Sequence, residues 1–219
     1  MANQTQGFGF RQAPTMGSTP ATGGQAEYKI KPGLAVGIFQ NDPVSPQHTA
    51  GDDGYLQDIT AATMDDGITG GTGWANTTSN IQKIIGVFNG AFFIDSNGKP
   101  TFSNNVVASQ ATSIDYNTGS NDIIAFINDN PNQEYVVKAD AALADTLLGV
   151  NPMQGFNTNN YTATDNKDGQ SITTLDVGSA AATSMFTVVR SANDPENKDQ
   201  TAPGCNFVVT IMKGSALYN

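Results

Sequence analysis

Cysteine, histidine, arginine and long apolar runs are almost or wholly missing from this 219-residue chain, and each shortage removes a class of function. Cys205 is the only cysteine, so no disulfide can form within the chain, which argues against a small disulfide-stapled secreted domain. His48 is the only histidine. One His and one Cys cannot supply the several ligands of a protein zinc site, and one His would have to serve any Ser or Cys nucleophile as base. Only Arg11 and Arg190 carry a guanidinium, and the formal net charge is −10. A nucleic-acid binder needs clustered Lys or Arg to displace counterions, so direct contact with DNA or RNA is not expected. No apolar run approaches the ~20 residues of a membrane-spanning helix, so no membrane partner is expected. The start, MANQTQGFGF, lacks the basic and apolar regions of a signal peptide, and the expectation is synthesis in the cytoplasm without standard export.

What is present points to strands. Charged residues make up 14% of the chain, against roughly 25% in an average soluble domain. Polarity comes instead from Asn, Thr, Ser, Gln and Gly, residues that favour turns and strands because their side chains or backbones compete with the helix. Strand-like runs are EYKI (27–30), LAVGIFQNDPV (34–44), ITAAT (59–63), IIGVFNGAFFI (84–94), TFSNNVV (101–107), DIIAFIND (122–129), EYVVKAD (134–140), SITTLDV (171–177), MFTVVR (185–190) and NFVVTIM (206–212). Asn89-Gly90 reads as a bulge or tight bend, and Asp95-Ser96-Asn97-Gly98 as a hairpin turn of type I′. The runs 122–129 and 134–140 are expected to form a hairpin across Asn130-Pro131. One short helix is expected over AALADTLLG (141–149), with Asp140 in front and Gly149 behind as caps. The intervening segments 45–58, 64–80, 151–170 and 191–204 read as polar loops. The fold class is therefore all-β, a β-barrel or β-sandwich with long polar loops, and no sequence repeat of fixed period is visible. Residues 1–26 read as an extended N-terminal arm and 27–219 as a single β domain. In the arm, GFGFR places Phe8 and Phe10 on one side if extended, with Arg11 beside them. These three are the candidate contact residues, since two aromatics and an Arg suit docking on a neighbour.

Catalytic patterns are missing. Glutamate occurs only as Glu27, Glu134 and Glu196, and the Asp pairs at 52–53, 65–66 and 165–168 sit in turn-like Asp-Gly contexts. TDNKDGQ, starting at Thr164, resembles the start of a calcium loop, but Leu175 falls where the bidentate Glu would be needed. GITGGTGWAN has glycines but no following Lys, and holds the only tryptophan, Trp74. Cys205 reads as a small core residue and His48 as a solvated loop residue. No cofactor, metal site or enzymatic activity is expected.

The segments MANQTQGFGFR, EYKIKPGLAVGIFQNDPV, IIGVFNGAFFIDSNGKPTFSN, DIIAFINDNPNQEYVVKAD and VVRSANDPENKD, taken in order, resemble virion structural proteins of tailed bacteriophages, especially marine ones. The resemblance covers most of the chain and carries no active-site pattern. It implies a capsid decoration, or cement, protein on the outer surface of the head, with the major capsid protein as partner and a homo-oligomeric state, trimer or dimer. An acidic chain suits the outside of a shell that holds DNA. The alternative is a receptor- or glycan-binding module, such as a head fibre or surface adhesin, that uses the long loops.

Overall fold

The computed structural model describes residues 3–13, 24–30, 37–46, 54–58, 84–95, 97–107, 123–143, 155–159, 170–181 and 186–211. Every regular element among them is a strand. The elements are β1 (Arg11–Gln12), β2 (Gln25–Ile30), β3 (Ile38–Phe39), β4 (Pro43–Pro46), β5 (Tyr55–Asp58), β6 (Gly86–Ile94), β7 (Pro100–Ser103), β8 (Asn105–Val106), β9 (Ile123–Asn128), β10 (Glu134–Lys138), β11 (Gly155–Asn159), β12 (Thr174–Ala181), β13 (Phe186–Ser191) and β14 (Asn206–Ile211). Where the sequence predicts one β domain after an arm, the chain forms two compact units. The first joins Met1–Gly23, Asn130–Thr162 and Ile172–Asn219; the second joins Gly24–Asp129 and Ala163–Ser171.

In the second unit, β2, β9, β6, β4 and β5 follow one another around a closed ring, completed by a parallel pair in which Lys29 faces Tyr55 and Ile30 faces Leu56. All other neighbours in the ring are antiparallel. Alternation drives this: Ile123, Ala125 and Ile127 point inward from β9, joined by Ile30, Val44, Leu56 and Phe88 in a fully buried core. The Asn41-Asp42-Pro43 corner is clipped to β6. Phe88 N–H donates to the Asp42 carbonyl at 2.8 Å, Asn41 N–H donates to the Phe88 carbonyl at 2.8 Å, and the buried Asp42 carboxylate accepts Phe39 N–H at 2.8 Å. The predicted bulge is present: the β6–β9 register shifts between Phe88 and Gly90, and Gly90 has φ 156°.

The β6–β7 hairpin closes differently from the predicted type I′ turn. Of its described residues Gly98 alone has positive φ, 76°, while the Asp95 carboxylate accepts the N–H groups of Asn97 (2.9 Å) and Lys99 (2.8 Å). An acidic side chain that caps the turn from its first residue removes the need for a left-handed Asn97.

In the first unit the sheet order is β1-β10-β14-β13-β11-β12. Its far end returns to β10 through a parallel bridge between Ala139 and Leu175, with Asp140 N–H donating to the Leu175 carbonyl at 3.0 Å. Thus β10, β14, β13, β11 and β12 also form a ring, and β1 lies along the rest of the β10 edge. Tyr135, Val137, Leu175, Phe186, Phe207 and Val209 fill it.

The two rings share one circular order. Numbered within each ring by position in the chain, both run 1-5-4-2-3, with the parallel contact between strands 1 and 3. The ladders agree in register as well. Phe88 corresponds to Val188, each just before a shift of strand 4 against strand 5. From there Ile127 corresponds to Val209, Ala26 to Tyr135, Glu27 to Val136, Ile30 to Ala139, Leu56 to Leu175, Pro46 to Thr158, Val44 to Phe156 and Gly86 to Phe186, which returns to the starting strand.

Further expectations change. The runs 122–129 and 134–140 are not a hairpin: β9 pairs with β2 and β6, while β10 pairs with β1 and β14. The division between units falls between Asp129 and Asn130, so the turn-rich sequence there is a linker. Within the predicted polar loops 45–58 and 151–170 lie half of β4 and all of β5 and β11. The predicted strand 59–63 lies outside the described residues, as does the predicted helix beyond Leu143.

Gly86 sits where any Cβ would drive into the carbonyl of Asn128. Gly86→Ala is expected to destabilise by about 1–3 kcal/mol through overpacking, and Gly98→Ala, which meets open space at positive φ, by about 1 kcal/mol. Urea denaturation midpoints read both; equal midpoints for Gly86→Ala and wild type would contradict the close approach of β6 to β9 at Asn128.

Candidate binding faces

Two places gather side chains beyond what core packing requires. The first is the arm. Gly9 N–H donates to the Thr173 carbonyl at 3.1 Å and Ala13 N–H to the Glu134 carbonyl at 2.9 Å, while Arg11 faces Val136 and Gln12 faces Tyr135. The glycines of GFGF have separate reasons. A Cβ on Gly7 would collide with the Ile172 carbonyl, and Gly9 has φ 72°. That left-handed residue breaks the extended alternation, so Phe8 and Phe10 do not share one open side. Phe10 is fully buried, stacked on Phe186 at 4.4 Å and edge-on to Tyr135 at 6.5 Å. Phe8 is half-buried, with the Arg11 guanidinium 4.8 Å and the Lys138 ammonium 5.6 Å from its ring centre. Of the three predicted contact residues, Arg11 is the exposed one.

The arm is held by the loop before β14. Asn3 Nδ2 donates to the carbonyls of Asp199 (2.7 Å) and Pro203 (3.1 Å), and Gln4 N–H donates to Asn197 Oδ1 (2.8 Å). Asp194 organises this loop. Its carboxylate accepts Glu196 N–H at 3.0 Å and Asn206 Nδ2 at 2.7 Å. The Glu196 N–H above all, then the Asn197 and Asn206 amides and the Lys138 charge, hold Asp194 below the usual carboxylate range. Asp199 is likewise lowered by the hydroxyl and N–H of Thr201. Burial lowers the Lys138 ammonium, and Asp194 partly offsets this. Cys205 is buried, as the sequence predicts, and burial together with the Asp199 carboxylate pushes its thiol up, away from a reactive thiolate. Of these groups, Asp199 bonds the arm through its backbone and Lys138 lies against the Phe8 ring, while Asp194 shapes the loop that holds Asn3 and Gln4.

The second place is the outside of the second unit's ring. Phe92 on β6 faces Phe102 on β7 across the hairpin, with ring centres 4.8 Å apart, and Phe102 stacks toward Phe126 on β9 at 6.5 Å and 18°. Phe102 is 75% exposed. Ile124 lies opposite Phe92 and Glu27 opposite Phe126, so an apolar strip ends at an exposed carboxylate on β2. Phe102 is exposed and Phe92 and Phe126 are half-buried, so three phenylalanine rings gather on the outer side of the sheet, apart from the fully buried core. The sequence carried one sign of it: in a strand Phe92 and Phe93 must point to opposite faces, so one of them had to look outward.

His48, Trp74 and the Asp pairs at 52–53, 65–66 and 165–168 lie outside the described residues. In comparisons with known proteins, no family model, no characterised protein and no solved structure matches this chain.

Two outcomes follow from the arm's anchorage. Phe10→Ala is expected to cost about 3–5 kcal/mol, read by chemical denaturation; a loss below ~1 kcal/mol would place Phe10 outside the core. The depressed Asp194 and Asp199 carboxyls give stability that is complete above their unfolded value near pH ~4 and is lost as pH falls through the lower folded values. Asp194→Ala should therefore destabilise at pH 7, by an amount that solvent screening of this largely exposed carboxylate keeps small, with a smaller penalty once the pH is low enough to protonate the folded carboxyl. A penalty that is the same across that range would contradict the assigned charge state.

Proposed function

We propose that this chain is a capsid decoration protein that binds the outer surface of a phage head and stabilises the lattice of its major capsid protein, without catalysis or cofactor. The observation that carries the proposal is the Phe92–Phe102–Phe126 strip on the outside of the ring, in which Phe102 is exposed and Phe92 and Phe126 are half-buried. A cement protein needs a rigid scaffold that offers apolar area to a repeating surface, and rigid aromatic anchors supply most of the energy of such contacts. The net charge of −10 fits the outer side of a DNA-filled shell. Repetition on a symmetric lattice lets modest contacts sum, and a dimer or trimer of this chain adds further avidity. Of the arm residues, Arg11 and part of Phe8 are presented for shell contact, whereas Phe10 would have to leave its own core.

The same strip favours a second reading, a glycan- or receptor-binding module, because ring faces beside the exposed Glu27 and Lys29 resemble a stacking platform with polar neighbours. Heads stripped of this protein separate the two. Phe102→Ala is expected to weaken co-sedimentation with such heads about tenfold or more, with Tm unchanged because the side chain is exposed. Wild-type binding by Phe102→Ala would remove the strip from the interface. Glycan-array binding that needs Phe102, without binding to heads, would replace the cement reading with the second.

A further inference from the structure

The matched registers of the two rings expose one difference at a corresponding edge. In the first unit the β10 edge from Glu134 to Val136 is taken by β1: Arg11 faces Val136, Gln12 faces Tyr135, and Ala13 N–H bonds the Glu134 carbonyl. In the second unit the corresponding residues are Gln25, Ala26 and Glu27 of β2. There β5 covers the edge at Lys29 and Ile30, and among the described strands none pairs with the edge at Gln25–Glu27. Each residue is more open than its counterpart: Gln25 is exposed where Glu134 is half-buried, Ala26 is half-buried where Tyr135 is buried, and Glu27 is exposed where Val136 is half-buried.

We propose that this edge of β2 is a strand-addition site for an extended basic segment of another protein molecule, of the kind that β1 illustrates: an apolar side chain followed by a cation. Three features argue for that occupant. An unpaired stretch of strand presents N–H and C=O groups that an extended backbone satisfies directly. The residue that faces Arg11 in the first unit is Val136, and its counterpart here is the Glu27 carboxylate, so an incoming strand in the same register sets its cation against an anion. Glu27 also lies opposite Phe126, so the edge and the phenylalanine strip form one continuous surface. The site does not depend on the partner being a capsid.

The test uses the full-length protein and a synthetic peptide of its own residues 5–13, TQGFGFRQA, followed by backbone hydrogen exchange. Excess peptide is expected to slow exchange at Gln25–Glu27 while β10 stays as protected as before. Glu27→Lys, a change at an exposed position, is expected to weaken that protection severalfold, as is a peptide with Glu in place of its Arg. Slowed exchange that ignores both charge reversals would overturn the charge-directed site. No protection at Gln25–Glu27, or changes confined to Glu134–Val136 as the peptide displaces the native arm, would overturn the site itself. Loss of head binding by Phe102→Ala leaves this result unaffected, so the two proposals fail separately.

Discussion

The fold rests on the side-by-side parallel pairing of the first and third strands in each ring, Ile30 with Leu56 and Ala139 with Leu175. Without it each sheet would be an open ribbon with two long edges and a half-solvated core. With it, edges are abolished over most of the ring and the inward residues of every strand share one interior. Parallel neighbours cannot be joined by a tight turn, so strands 1 and 3 must be far apart in the chain. The stretches between them are long, 31–54 and 139–173, and strand 2 lies within each, β4 in the first and β11 in the second.

Closure also decides what stays outside. A ring with a full core leaves its outer face to be polar or to be used. Among the described residues the large apolar side chains left exposed are Phe102 and Val189, and Phe102 lies in the Phe92–Phe102–Phe126 strip. The arm follows the same logic from the other direction. Its Phe10 is spent inside the first unit, and its glycines allow close backbone approach and a left-handed turn. A segment that reads as an arm for docking on a neighbour thereby pairs along the β10 edge of its own unit.

Much of the strand content was legible. Alternating apolar residues in IIAFI and EYVV, and the turn chemistry of Asn89-Gly90 and Asp95–Gly98, lie on the strands, bulge and hairpin observed. The rest was hidden for physical reasons. PVSP and GFNTN pair as strands although neither alternates clearly, because ring closure rather than intrinsic propensity fixes them. The hairpin expected at Asn130-Pro131 fails because local turn signals cannot tell a hairpin from a linker between units. The repeat of topology was invisible because corresponding positions hold unlike residues, Gly86 against Phe186 and Ala26 against Tyr135, while hydrogen-bond register is kept by the backbone. The phenylalanine strip needed the β6–β9 ladder to bring Phe126 beside a hairpin formed far from it in sequence.

The shared ring is tested most directly by nuclear Overhauser contacts between backbone protons of the two closing pairs in the free protein. Contacts between Ile30 and Leu56, and equally between Ala139 and Leu175, are the predicted result. Observation of the first without the second would leave the first unit an open sheet, and would contradict the correspondence on which the arm-like site on β2 is built.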